Sequence, residues 1–312
     1  MREVTMNQER AILVTGVNGQ VGFELMRTLQ GLGRVVALDR KALDLSDLDR
    51  VRAVVREIKP AIIVNPAAYT AVDAAESDID AAMRLNADVP RTLAQEAADS
   101  GAVLVHYSTD YVFDGTKSTP YAEDDRTNPQ NVYGASKLAG ERAIAESGCA
   151  YLVFRTSWVY GRRGKNFLLT MLRLGAERPE LRVVADQIGA PTWSNTIATA
   201  TAHVLAQGLA SEDAKWWRER SGIYHLTAAG ATSWHGFAQA IFDIAMGELA
   251  PKVLPISASE YPVPAKRPGN SRMSQEKLAE RFGLCLPSWD DALRLCMGDM
   301  ASGARQTDAT LT

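Results

Sequence analysis

Short apolar runs recur through the first half of the chain, each closing on a polar residue. Ala11-Ile-Leu-Val-Thr15, Val35-Val-Ala-Leu-Asp39, Ala61-Ile-Ile-Val-Asn65, Ala102-Val-Leu-Val-His-Tyr-Ser108 and Tyr151-Leu-Val-Phe-Arg-Thr156 predict five strands. Helix-like stretches lie between them, at Val21 to Gly31, Leu48 to Ile58, Ala81 to Ser100 and Tyr133 to Ser147. Strands that are apolar almost throughout, alternating with helices, belong to a parallel sheet covered on both faces. Right-handed crossovers then give an α/β, doubly wound sheet of Rossmann type.

The rhythm breaks near residue 160. Pro179, Pro191, Pro251, Pro255, Pro262, Pro264, Pro268 and Pro287 punctuate short segments. The expected organisation is an N-terminal extension over 1–9 and a dinucleotide-binding domain over 10–160. A smaller, mixed, substrate-binding lobe covers most of 161–300, and later segments can also lend core strands to the sheet. Residues 301–312 carry almost no large apolar groups, which predicts a disordered tail.

Composition narrows the function classes. The chain has 312 residues, 46% hydrophobic, with a net charge of −3. Its pI is about 5.9 and its mean hydropathy −0.14. This balance gives no reason to expect nucleic acid or an anionic membrane as partner. No apolar run reaches the ~20 residues of a membrane span. The polar start lacks a signal peptide's apolar core. Cys149, Cys285 and Cys296 are widely spaced, suit a reducing compartment and form no metal motif, so a cytoplasmic location is expected.

The chemistry sits in six places. Thr15-Gly-Val-Asn-Gly-Gln-Val-Gly22 follows the first strand and opens the first helix, with glycines at Gly16, Gly19 and Gly22. The first would allow a tight turn. The second would let N–H groups approach a pyrophosphate, and the third would let helix and strand pack closely. Asp39 ends the second strand, where a carboxylate can accept hydrogen bonds from an adenosine ribose; Arg40 could instead receive a 2′-phosphate, so NADH and NADPH both stay open. Asp44-Leu45 could flank the adenine. Ala67-Ala-Tyr-Thr70 follows the third strand, where small residues let a cofactor lie close. Ser108-Thr109-Asp110 ends the fourth strand, at the edge where such folds place ligands. Tyr133 and Lys137 share one helix face, one turn apart. A nearby cation favours ionised tyrosine and makes the phenol a better proton donor near neutral pH.

Taken together, these segments resemble a known family. Thr15 to Gly22, Asn65-Pro-Ala-Ala-Tyr-Thr-Ala-Val-Asp-Ala-Ala-Glu76, Ser108-Thr-Asp-Tyr-Val-Phe-Asp-Gly115, Tyr133 to Lys137, Arg155-Thr-Ser-Trp-Val-Tyr-Gly161 and Asp186-Gln-Ile-Gly-Ala-Pro-Thr192 are similar, in order, to the dTDP-4-dehydrorhamnose reductase family of extended short-chain dehydrogenases. The resemblance implies reduction of the 4-keto group of dTDP-4-dehydro-L-rhamnose by NADPH or NADH. It carries catalytic roles onto Thr109, Tyr133 and Lys137. Cofactor contacts fall on Gly19, Gln20, Val21, Asp39, Asp44, Leu45, Ala68, Tyr69 and Thr70, beside Gly16, Arg40, Ala67, Tyr133 and Lys137, the last expected to bond the nicotinamide ribose. Substrate contacts fall on Thr109, Asp110 and Trp158, whose indole can stack on the apolar face of a 6-deoxy sugar. Gln187 and Thr192 are assigned to the nucleotide-diphosphate side. Some members hold magnesium between the subunits of a homodimer through glutamates. Glu24 matches one such position, but the segment after Pro191 offers Asn195 where a second glutamate is expected, so the metal set is incomplete.

Two other readings use the same scaffold. A nucleotide-sugar epimerase or dehydratase is one, but dehydratases carry Asp-Glu after the threonine and this chain has Asp110-Tyr111. A non-catalytic, NADP-binding regulatory subunit is the other, and the intact Thr109, Tyr133 and Lys137 stand against it.

Overall fold

A computed structural model describes the backbone of residues 10–308 and the side chains of 10–300, apart from residue 299. The expectations for the extension over 1–9 and the tail over 301–312 lie outside the residues so described.

The five expected strands form as β1 (Ala11–Val14), β2 (Arg34–Ala37), β3 (Ile62–Asn65), β4 (Val103–Thr109) and β5 (Ala150–Thr156). Their odd and even positions go to opposite faces, as a pleated strand requires. Ile12, Val14, Ile62, Val64, Val105 and Phe154 pack on one face. Leu13, Ile63, Leu104 and Val153 pack on the other. Helix α1 (Gln20–Thr28) covers the first face. Helices α2 (Leu48–Ile58) and α3 (Val89–Ser100) cover the second. Between β4 and β5 runs α4 (Val132–Ala145).

A sixth strand was not evident in the sequence. β7 (Gly222–His225), preceded in the chain by β6 (Glu180–Val184), joins the sheet beside β5. All neighbours are parallel, in the order β7-β5-β4-β3-β1-β2. The chain leaves β1 toward β2 on one side and returns to β3 on the other. The crevice between the carboxyl ends of β1 and β3 is therefore a topological switch point, where doubly wound sheets bind ligands.

The second lobe has its own core. Its helices are α5 (Phe167–Glu177), α6 (Ser194–Ala210), α7 (Trp234–Met246) and α8 (Trp289–Asp308). Tyr160, Leu168, Met171, Phe237, Ile241 and Leu293 pack there beside β6, which pairs in parallel with β8 (Lys252–Ile256). The division at residue 160 is not a clean cut. Ile197, Val204 and Leu205 of α6 pack with Leu25 of α1 and with Leu29 just beyond it, and β7 completes the main sheet. Among the described residues no helix is long and apolar enough to cross a membrane.

Helix formation departs from expectation at one point. The stretch expected as one helix from Ala81 splits into Ile79–Met83, a π-helical turn over Arg84–Asp88, and α3. Pro90 explains it: its ring has no N–H to offer and would clash with the carbonyl of residue 86 in a regular helix. The wider turn releases Asn86 from the regular ladder.

Candidate active site

One cleft of about 620 Å³ opens over the carboxyl ends of β1, β3 and β4. It gathers Gly16, Gly19, Gln20, Val21, Asp39, Arg40, Ala67, Ala68 and Thr70 with Thr109, Asp110, Tyr133, Lys137 and Trp158. Residues from six separate sequence segments thus share one wall.

The glycine turn is shaped by close approach. Gly16 has φ +57°, and a Cβ there would lie 2.9 Å from the Cα of Ala67. A Cβ on Gly22 would lie 2.3 Å from the Gly16 carbonyl oxygen. Larger residues at either place would push the turn into the cleft. Gly19 caps α1 without a side-chain partner, so the first-turn N–H groups stay available, with the helix's positive end behind them. Gln20 accepts from Asn166 Nδ2 at 2.9 Å. The Asp39 carboxylate stands just beyond β2. Hydrogen bonds from the Ala42 and Lys41 N–H groups, with help from Asn18, hold it below its ordinary range. Buried Ser108 Oγ, also lining the cleft, has no hydrogen-bond partner. A turn whose glycines admit no Cβ, an ionised Asp39 and an unmatched hydroxyl fit a nicotinamide dinucleotide.

The chemical end lies on α4 and β4. Asn131 caps α4 by accepting from the Gly134 N–H at 2.7 Å, which fixes where the helix starts and so where Tyr133 points. Tyr133 packs edge-on against Tyr111, with ring centroids 5.5 Å apart. Its phenol faces the Thr109 side chain. The Thr109 hydroxyl donates in turn to Asp110 Oδ1 at 3.0 Å. Burial raises the Tyr133 phenol above its ordinary value, the Thr109 hydroxyl opposes this, and Asp110 and Tyr111 reinforce it.

Lys137 behaves differently from the sequence expectation. Its Nζ donates to the Tyr107 carbonyl and lies 3.2 Å from His106 Nε2. Burial lowers it to about 8, against the opposing charge of Glu141. The tyrosine is therefore governed by its own burial, while the ammonium is anchored on the floor of the cleft.

Burial also raises Asp110 to about 6 from 3.8. The sign of its effect on stability follows. Between those two values the folded protein binds a proton that the unfolded chain does not, so this group adds stability as pH falls from about 6 toward 4. Asp110→Asn should abolish that increment in denaturation curves measured at pH 4, 5 and 6; an unchanged slope would show that Asp110 is ionised throughout.

Five predicted residues lie outside the cleft lining. Asp44 is exposed, and its Oδ1 accepts from Ser46. Leu45 packs partly buried on the second core face. Tyr69 bonds Asp78 through its hydroxyl at 3.2 Å. Gln187 lines a neighbouring groove of about 1040 Å³, together with Trp234, Arg178 and Lys266. Thr192 is fully buried; its hydroxyl donates to the Ala190 carbonyl and accepts from the Ala228 N–H, which leaves no atom for a substrate. Trp158, at φ +48°, stacks on Trp234 with centroids 3.5 Å apart, so the paired indoles stand between cleft and groove.

Two residues that the sequence reading passed over organise the site. Asn86, freed by the π-turn, accepts from the Tyr69 N–H and donates to the Tyr69 carbonyl and to Ser136 Oγ. It ties the Ala67–Thr70 segment to the helix that carries Tyr133. His106, the polar residue inside an apolar run, supports Lys137.

The magnesium expectation meets a mismatch. Glu24 Oε2 accepts from Asn195 Nδ2 at 3.1 Å, so an amide donor occupies the carboxylate where a second anion would be needed. Among the described residues no group of three His, Cys, Asp or Glu side chains gathers for a metal. Glu24 and Asn195 do not supply the pair of carboxylates that such an ion would need.

Comparison with known proteins agrees with this geometry. The family described as RmlD substrate binding domain matches residues 10–302. A dTDP-4-dehydrorhamnose reductase from Burkholderia thailandensis is 54% identical, covering 93% of this chain and 99% of that protein. One from Salmonella typhimurium is 45% identical, covering 93% and 97%. The solved structure of dTDP-4-dehydrorhamnose reductase from Bacillus anthracis in complex with NADP superposes with a TM-score of 0.86 at 38% identity, covering 93% of this chain and 99% of that one.

Proposed function

The chain belongs to the RmlD substrate binding domain family, and from that premise we propose that it catalyses the reaction for which its relatives are named. It is an NAD(P)H-dependent oxidoreductase that reduces the 4-keto group of dTDP-4-dehydro-L-rhamnose to give dTDP-L-rhamnose. One observation carries the reading: Thr109 and Tyr133 line the same cleft as the Gly16–Gly22 turn.

The reduced nicotinamide dinucleotide supplies the hydride. The glycine turn and the α1 terminus would hold its pyrophosphate, Asp39 would take its adenosine ribose, and Arg40 would meet a 2′-phosphate. Thr109 and Tyr133 aim two hydroxyls at the ketone oxygen, where negative charge develops during reduction. Tyr133 gives up its proton to that oxygen. Lys137, one turn along α4, lines the same cleft from its floor. Trp158 offers its indole face to the C–H side of the deoxy sugar. The nucleotide-diphosphate end extends past the indole pair toward the groove with Gln187, Arg178 and Lys266. Such soluble, nucleotide-linked chemistry fits the cytoplasm.

The test is absorbance at the reduced-nicotinamide band, with a dTDP-4-keto-6-deoxy sugar supplied with and without a 3,5-epimerase. Oxidation that depends on the epimerase supports the assignment. Oxidation without it would give the site a different sugar. Trp158→Ala should raise KM for the sugar about tenfold, the loss expected for one aromatic contact, and change kcat less. An unchanged KM would remove Trp158 from the sugar site.

A further inference from the structure

Beneath the cleft, four buried side chains form one hydrogen-bonded line across three strands and into α4. Thr15 Oγ1 donates to Asn65 Oδ1 at 2.6 Å. Asn65 Nδ2 lies 3.1 Å from His106 Nδ1, and His106 Nε2 lies 3.2 Å from Lys137 Nζ. None is more than 2% exposed. The parallel register of β3 and β4 sets Asn65 directly beside His106, so the contact is built into the sheet. Of the four, only Lys137 lines the cleft.

The donor count along this line decides its chemistry. A neutral imidazole has one donor and one acceptor. With the Asn65 amide nitrogen toward Nδ1, that atom accepts, Nε2 carries the proton, and Lys137 must accept as an uncharged amine. A half-turn of the amide reverses every bond. Nδ1–H then donates to Asn65, the amide donates to Thr15, and Nε2 accepts from a Lys137 ammonium. Both arrangements satisfy all four groups, and they differ in the charge of Lys137. An imidazolium suits neither, and burial with the facing Lys137 charge keeps His106 well below its ordinary value.

We propose that His106 is a positioning residue for the reductase reaction, holding Lys137 Nζ and matching either of its charge states by exchanging tautomers with the Asn65 amide. This rests on the function proposed above. The other groups around Lys137 are few. From α4 itself come Tyr133 and Glu141, the latter tied to Arg155 of β5. From β4 comes the Tyr107 carbonyl. Glu141 favours the ammonium and burial favours the amine. Lys137 thus lies where both charge states are within reach, and a partner able to meet only one would bias the other away.

Two variants and one spectrum test this. His106→Asn keeps an amide beside Asn65 but is too short to reach Nζ; His106→Gln places a carbonyl oxygen near the lost Nε2. The Asn variant should lose about tenfold or more in kcat, the loss of one hydrogen bond to a charged group, and should move the pH at which kcat changes. The Gln variant should recover most of that loss. An Asn variant with the wild-type pH profile overturns the proposal, whatever its rate. Independently of folding in the variants and of turnover, ¹⁵N spectra of the wild-type protein read the ring nitrogens of its four histidines. One ring should stay uncharged from pH 6 to 10, values spanning the ~8 of Lys137, while its proton moves from Nδ1 to Nε2. If no ring exchanges its proton in this way, the tautomer mechanism is wrong even if the enzyme is active; if the wild-type protein shows no turnover, it is the assigned reaction that fails.

Discussion

Tyr133→Phe lowers kcat by about 10²–10⁴-fold and leaves the dissociation constant for NADPH within about twofold, if the phenol is the proton donor. The substitution removes one oxygen. The ring keeps its edge-on contact with Tyr111, and Asn131 still caps the helix. What disappears is the phenolic proton that faces Thr109. The split between turnover and binding is therefore the diagnostic. Cofactor titration by fluorescence and initial-rate kinetics on the same preparation measure it. A variant within threefold of wild type in kcat would assign the proton to another group, with the Thr109 hydroxyl next in line.

The second large effect concerns stability. Arg155 and Glu141 form a two-pronged ion pair, Nε to Oε1 at 2.9 Å and Nη2 to Oε2 at 2.7 Å, with side chains 2% and 1% exposed. Removing one partner strands the other charge out of water. Glu141→Gln should cost about 3–5 kcal/mol in urea unfolding, since the guanidinium is left without its counter-charge. The same change acts on the active site. Glu141 raises Lys137, so its loss should move Lys137 further down from about 8 and shift the corresponding limb of the pH–rate profile to lower pH. A loss below about 1 kcal/mol would mean that water or the Glu123 carbonyl, 3.4 Å from Arg155 Nη1, compensates the pair.

The strand pattern was readable because each strand is buried on both faces, so its apolar run is unbroken. The sixth strand, Gly-Ile-Tyr-His, is only four residues long and lies beyond the proline-rich stretch, so neither length nor rhythm marks it. The glycine turn and the Tyr133–Lys137 face were legible because short-range geometry fixes them. The tertiary partners were not. Periodicity placed Lys137 beside Tyr133, but the sheet beneath offers His106 and a carbonyl, and the ammonium is held there. Thr192 belongs to a motif string, yet its hydroxyl is consumed by two backbone groups. A signal for the hidden network was present: Thr15, Asn65, His106, Arg155 and, on the unrecognised strand, His225 each interrupt or end an apolar run. A polar group in such a place is buried and must find a partner. Here the partners of Asn65, His106 and Arg155 form the floor of the active site and its supporting ion pair.

The most direct measurement follows the hydride. NADPH carrying deuterium at nicotinamide C4, in the transferable position, is turned over with dTDP-4-dehydro-L-rhamnose, and the sugar product is read by NMR. A single deuterium at C4 of the hexose, with one cofactor oxidised per sugar, is the predicted result. Product without deuterium, or label at C5 or C6, would contradict a net reduction at the carbonyl that Thr109 and Tyr133 are placed to serve.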